Sequence, residues 1–196
     1  MSIKRWTQTD IELSSEFLKA PHFCKHPGGQ SQEIMHKWET PIMELDAKHL
    51  CRGGGSILNI GYGMGIIDGF IRDYKPDKHT IIEVHPQLVR NAKAAGYENV
   101  LEGDWIDIVK NMTEQFDAIY FDTYCFDRED WAIFTKDYAD RLLKPGGRFS
   151  YFNRDAAKQQ KVSDLCEAKG WKPHVETIQF SRSQWYYSIV WHKSAK

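Results

Sequence analysis

The chain has 196 residues, 26 Lys+Arg against 27 Asp+Glu and a formal net charge of −1, and its nine apolar types make up 41%. That is ordinary globular composition, enough for one domain with one sizeable core, and 7 Trp, 9 Tyr and 10 Phe exclude a disordered chain. No apolar run approaches the roughly 20 residues of a membrane span, the charged start MSIKRWTQTD is unlike a secretory leader, and four scattered cysteines form no disulfide framework, so a cytoplasmic, reducing setting is expected.

The first 30 residues carry no clear pattern. Residues 30–50 read as one helix, with Met35, Trp38, Ile42 and Leu45 on one face and Pro41 marking a kink or a break. SILNI (56–60) is a strand that runs through the turn GYGMG (61–65) into a helix ending near Tyr74. HTIIEV (79–84) is a second strand, and Pro86 opens a helix closed by Gly96. Residues 99–102 are a short strand and 105–112 a short helix.

FDAIYFD (116–122) is almost wholly apolar, as a central strand covered on both faces must be. Residues 129–143 form a helix with Trp131, Phe134, Tyr138 and Leu142 at three-to-four spacing. KPGG (144–147) turns into the strand 148–153, a helix reaches Lys169, and strands 174–180 and 184–192 close the chain as a hairpin. Trp185, Tyr186, Tyr187 and Trp191 read as hairpin and core packing. Strands alternating with helices predict a doubly wound, mostly parallel α/β sheet of seven strands ending in that antiparallel hairpin.

The turn Gly61-x-Gly63-x-Gly65 between strand and helix presents backbone N–H groups and a helix N-terminus to a ligand. A dinucleotide fingerprint would place its last glycine where Ile66 stands, which disfavours the pyrophosphate of a nicotinamide cofactor. The second strand ends in Glu83, where this fold puts a carboxylate for ribose hydroxyls. Gly103-Asp104-Trp105 follows the third strand, with an acid for an adenine amino group and an aromatic to flank the base. The three elements converge on an adenosine without phosphates, as in S-adenosylmethionine (SAM).

Charge is unevenly spread. Residues 98–140 hold 12 Asp+Glu against 3 Lys+Arg, while residues 141–196 hold 11 Lys+Arg against 4 Asp+Glu. Solvated helix faces are the simpler reading of this and an acidic site for a cationic substrate the sharper one; a nucleic-acid surface is not expected, because the basic residues form no dense tract.

Six motifs occur in order: WETP (38–41), NIGYGM (59–64), IIE (81–83), Gly103-x-Trp105, YFDTY (120–124) and LLKPGG (142–147). Together, over about residues 30–155, they resemble guanidinoacetate N-methyltransferase and the related protein-arginine δ-N-methyltransferases. The resemblance implies a Rossmann-like class I methyltransferase fold with an N-terminal helical lid over residues 1–55 and a SAM-binding core over residues 56–196. It implies SAM as cofactor and no metal. Glu39 and Asp122 match the two carboxylates that hold a substrate guanidinium, and the chemistry suggests Asp122 as proton acceptor and Glu39 as clamp. Gly61, Tyr62, Gly63 and Met64 match the loop on the methionine moiety, Glu83 the ribose acid, and Asp104 and Trp105 the adenine edge.

Thr123 and Tyr124 are candidates to face the substrate, with core packing as the alternative for Tyr124. Arg154 stands where the guanidinoacetate enzymes continue with Leu-Thr and a longer insertion, and is a candidate partner for a substrate carboxylate. No extra N-terminal domain of the kind carried by the protein-modifying relatives precedes the motifs, so a small-molecule guanidine is the expected acceptor, with arginine in a peptide as the alternative. A nonenzymatic SAM-binding subunit is the other alternative, disfavoured because a pure binder needs neither carboxylate. No nucleic acid or membrane partner is expected, and a homodimer is compatible with the sequence. His22-x-Cys24-x-His26 lacks a second ligand pair and reads as a loop closing over the site; Cys125 has no nearby His to activate it.

Overall fold

The computed structural model describes residues 3–20, 32–123, 129–152, 156–181 and 184–195. Seven strands form the main sheet: β4 (Ser56–Ile60), β5 (Lys78–Glu83), β6 (Asn99–Glu102), β7 (Phe116–Phe121), β8 (Leu143–Tyr151), β9 (Lys172–Ser181) and β10 (Gln184–His192). Their order is β6-β5-β4-β7-β8-β10-β9. The first five are parallel, and β10 runs antiparallel to both β8 and β9. The doubly wound sheet with a terminal hairpin is therefore as the pattern predicts.

Alternation along the central strands builds two cores. Ile57, Ile81, Ala118 and Tyr120 face α2 (Thr40–Leu50), α3 (Ile66–Asp73) and α4 (Pro86–Ala94). Leu58, Ile60, Ile82, Ile119 and Phe121 face α5 (Trp105–Asn111), α6 (Asp130–Ile133), α7 (Ala139–Leu142) and α8 (Ala156–Ala168). Helix starts follow local chemistry. His85 Nδ1 accepts the Gln87 N–H ahead of Pro86, and Asp104 Oδ1 accepts the Ile106 N–H ahead of α5.

Three elements differ from the sequence reading. The expected helix over residues 30–50 is, among the described residues, a helix only from Thr40. A short α1 (Ile3–Trp6) is followed by β1 (Glu12–Leu13), β2 (Phe17–Ala20) and β3 (Gln32–His36), which pair as a three-stranded antiparallel sheet. Met35 is thus on a strand, a 3₁₀ turn covers Lys37–Glu39, and Pro41 lies in the first turn of α2, where its missing N–H costs nothing. The 129–143 helix is divided: Phe134–Tyr138 is a π-helical turn between α6 and α7, with Thr135 Oγ donating to the Trp131 carbonyl. Finally, β8 takes in KPGG and begins at Leu143, its register with β7 shifting between Phe116 and Ala118. None of the described helices is long and apolar enough to cross a membrane.

Candidate active site at the carboxyl edge of the sheet

The parallel ladder continues one residue beyond each strand end, and this lines up the loops. Gly61 N–H donates to Ile82 O (2.8 Å), Asp122 N–H to Ile60 O (2.9 Å), Gly103 N–H to Glu83 O (3.0 Å) and Phe152 N–H to Phe121 O (3.1 Å). Open α/β sheets bind ligands at this edge, where strand order reverses. Here the reversal lies between β4 and β7, which end at the Gly61 turn and at Asp122.

The turn is held from below. Buried Asn59 Nδ2 donates to Gly61 O and to the carboxylate of wholly buried Asp68, each at 2.9 Å. Gly61 has φ +97°, and a Cβ there would collide with the Asp122 carbonyl. On its other side Met35 reaches the turn: its Sδ lies 3.1 Å from Met64 N and against Gly63. Tyr62 folds its ring over Gly65, which leads into α3.

Glu83, 6% exposed, accepts the N–H groups of Tyr62, Val84 and His85, each at 2.8 Å. Burial pushes its carboxyl above the usual range, and these N–H groups oppose that push. They fix the carboxylate at the strand end beside the turn. Asp104 is half-buried as the α5 cap. Trp105 is 4% exposed and packs edge-on against Phe121, Phe134 and Tyr138, so its ring serves the core more than an open wall for a base.

The second wall is α2 and the turn before it. Glu39 is 7% exposed and closes a reciprocal cap: its Oε1 accepts His36 N–H at 3.3 Å while His36 Nδ1 accepts Trp38 N–H. The start of a helix suits its charge. Asp122 and Thr123 stand half-buried at the β7 end. Asp122 keeps some access at the rim, yet lies deep enough for desolvation to dominate. Burial pushes its carboxyl well above the usual range, and the surrounding carboxylates add to this, Glu39 the most, then Asp46, Asp68 and Glu83. The fold thus brings the acids of WETP and FDTY near enough to repel each other, Glu39 being the charge that Asp122 feels most. Tyr124, Arg154, Cys125 and the 22–26 segment lie outside the described residues.

Asp46 and Asp68 carry no motif, and sequence reasoning passed over both. Asp46, on the inward face of α2, is wholly buried and accepts hydrogen bonds from Tyr120 OH (3.0 Å) and Ser188 Oγ. Burial pushes its carboxyl up from the ordinary 3.8 to about 7. A raised folded-state pKa means stability that is complete below the unfolded pKa and lost as pH rises through the folded one. Wild type is therefore expected to lose about 2 kcal/mol relative to Asp46→Asn between about pH 5.5 and pH 8. Urea titrations of both proteins across that range test it; parallel curves would refute the buried ionisation.

Comparison with known proteins adds the following. Residues 25–165 match the family profile described as Guanidinoacetate N-methyltransferase. The chain is 40% identical over 143 residues to Protein arginine N-methyltransferase 2 of Aspergillus oryzae, covering 68% of this chain and 35% of that protein. It is 42% identical over 173 residues to the protein of the same name from Kluyveromyces lactis, covering 82% and 40%. The chain thus spans two fifths or less of the length of these relatives. Among solved structures, the N-methyltransferase NodS of Bradyrhizobium japonicum in complex with S-adenosyl-l-homocysteine superposes with a TM-score of 0.60 at 18% identity, covering 80% of this chain and 88% of that one. At that identity the likeness concerns the fold.

Proposed function

Because the chain belongs to the guanidinoacetate N-methyltransferase family of SAM-dependent methyltransferases, we propose that it transfers a methyl group from SAM to a guanidino nitrogen. The observation that carries this reading is the pairing of buried Glu39 with Asp122 at the sheet edge, beside a glycine turn and a locked carboxylate. The residues suit SAM. Gly61 offers bare backbone where a side chain cannot stand, Glu83 is held ready for ribose hydroxyls, Asp104 lies at the adenine end, and the acid-rich edge favours a sulfonium cation. Bound there, SAM supplies an electrophilic methyl group.

The acceptor is the harder problem. A guanidinium has pKa about 13.8, so freeing its nitrogen lone pair at pH 7 costs about 9 kcal/mol. Neighbouring carboxylates raise that pKa further, so they do not act by making a stable neutral guanidine. Glu39 and Asp122 instead grip the planar fork through paired N–H···O bonds and aim one nitrogen at the methyl. With SAM bound, Asp122 would take the proton of that nitrogen as the C–N bond forms and the methyl's bond to the sulfonium sulfur breaks, S-adenosylhomocysteine being the leaving thioether. Two carboxylates also balance two cations in a desolvated site. The segment before β4, with its three-stranded sheet and α2, acts in this reading as the cover over both ligands.

The acceptor is read as a free guanidine, the chemistry of the family profile. A second reading, arginine within a protein, is favoured by the relatives named protein arginine N-methyltransferase 2. Incubating the protein with SAM and guanidinoacetate, arginine, agmatine or an arginine peptide separates them by product mass. A product one methylene heavier on a free guanidine is the expected result. Product on the peptide alone would select the second reading, and SAM binding with no product on any acceptor would overturn both.

A further inference from the structure

Away from the sheet edge, the C-terminal end of α2 meets the outer hairpin through three groups unused by the proposed reaction. His49, 8% exposed, places Nε2 2.6 Å from Glu176 Oε2, and its ring lies 4.3 Å centroid to centroid from that of His174. One ligand atom from each of His49, His174 and Glu176 lies within 4.8 Å of the others. The strand period explains the meeting. His174 and Glu176 are two apart on β9 and so share a face, and their cross-strand partners Val190 and Ser188 on β10 share it too. Ser188 bonds Asp46 of α2, which identifies this as the face turned to the helix.

We propose that His49, His174 and Glu176 form a binding site for a borderline divalent transition-metal ion of the zinc class, fastening the end of α2 to β9. Two imidazoles and a carboxylate are a donor set that suits Zn²⁺, with water as fourth ligand. Ligand bonds of about 2.0–2.2 Å put donor atoms a little over 3 Å apart, so the 2.6 Å pair opens slightly and His174 moves in. His174 is exposed and Glu176 half-buried, which permits both movements and gives the ion a path from solvent. Lys48 Nζ lies 3.5 Å from Glu176 Oε1, leaving Oε2 as the liganding oxygen. Glu39 stands ten residues before His49, about 15 Å along the helix, so the ion is an anchor for α2 and takes no part in methyl transfer.

The test uses the full chain without a histidine tag. Co²⁺ is added first as a spectroscopic probe, followed by displacement with Zn²⁺, and melting temperature is recorded with and without Zn²⁺. Expected are one equivalent of Co²⁺ with four-coordinate visible absorption, loss on adding Zn²⁺, and a rise in melting temperature. His174→Ala and Glu176→Gln, both at accessible positions, should each weaken binding by at least about tenfold and abolish the thermal shift. His22→Ala/His26→Ala should leave both unchanged. No stoichiometric Co²⁺ binding, or binding that survives His174→Ala, would overturn the proposal.

Discussion

Asp122→Asn is expected to lower turnover on the best acceptor by about 10²–10⁴-fold, the usual share of a positioned proton acceptor. The amide keeps the shape and one acceptor oxygen, so the guanidinium fork is still partly held; what disappears is the place for the proton. Binding of SAM, measured by calorimetry, should be unchanged, because in the proposed reaction the Asp122 side chain holds the acceptor. The variant should also be no less stable than wild type at neutral pH. Removing a carboxylate that burial, Glu39, Asp46, Asp68 and Glu83 all disfavour as an anion relieves repulsion. Loss of activity in a folded, SAM-binding protein would therefore report chemistry. Asp122 must be ionised to accept a proton, so kcat/KM of wild type should rise with pH through its raised pKa and flatten above it. A variant within tenfold of wild type would remove Asp122 from the proton step.

Gly61→Ala is the second large effect, and it falls on the fold. A φ of +97° is closed to side-chain-bearing residues at a cost of about 1–3 kcal/mol. The added Cβ would also fall inside the shell of the Asp122 carbonyl oxygen. That oxygen is backbone and cannot rotate away. Its own residue is tied by the Asp122 N–H to Ile60 O, while Gly61 N–H is tied to Ile82 O, so relief requires parting three strand ends. The combined cost should exceed about 3 kcal/mol and abolish SAM binding. Gly54→Ala is the matched control. Its φ is +67° but nothing lies within 4 Å of the added atom, so only the conformational cost of about 1–2 kcal/mol applies. Urea unfolding of the two variants separates steric conflict from backbone strain; equal losses would show that the close approach at Gly61 is unimportant.

Much of the sheet was legible because its signals are local. The apolar run of β7 reflects burial on both faces, the SILNI run led straight into its glycine turn, and Pro86 and Gly96 bracket a helix by their own φ requirements. Acids at strand ends were visible for the same reason: parallel connections return every strand to one edge, so Glu83 and Asp122 must end near the Gly61 turn. The N-terminal sheet was not visible. β1 has two residues and β2 four, too short for a period, and the small sheet exists only because β2 pairs with β1 on one side and with β3, distant in sequence, on the other. Met35 fits a helical face as well as a strand, and pairing with Leu18 decides it. Thr135 likewise carries no local mark of the π turn it supports.

By itself, then, the amino-acid sequence determined the strands and most helices from residue 56 onward, the seven-stranded, mostly parallel sheet with its terminal hairpin and the positions of the two acid-bearing motifs, since periodicity and backbone sterics act over a few residues. Only the tertiary structure decided which acids share a field. Asp46 on α2 and Asp68 on α3 are unremarkable polar positions until the helices turn them inward, where desolvation raises Asp46 to about 7 and both press on Asp122. His49 meets His174 and Glu176 only because α2 packs across the face of the β9–β10 hairpin. Electrostatics and coordination depend on distance through space and on the removal of water, and neither is written in the spacing of residues along the chain.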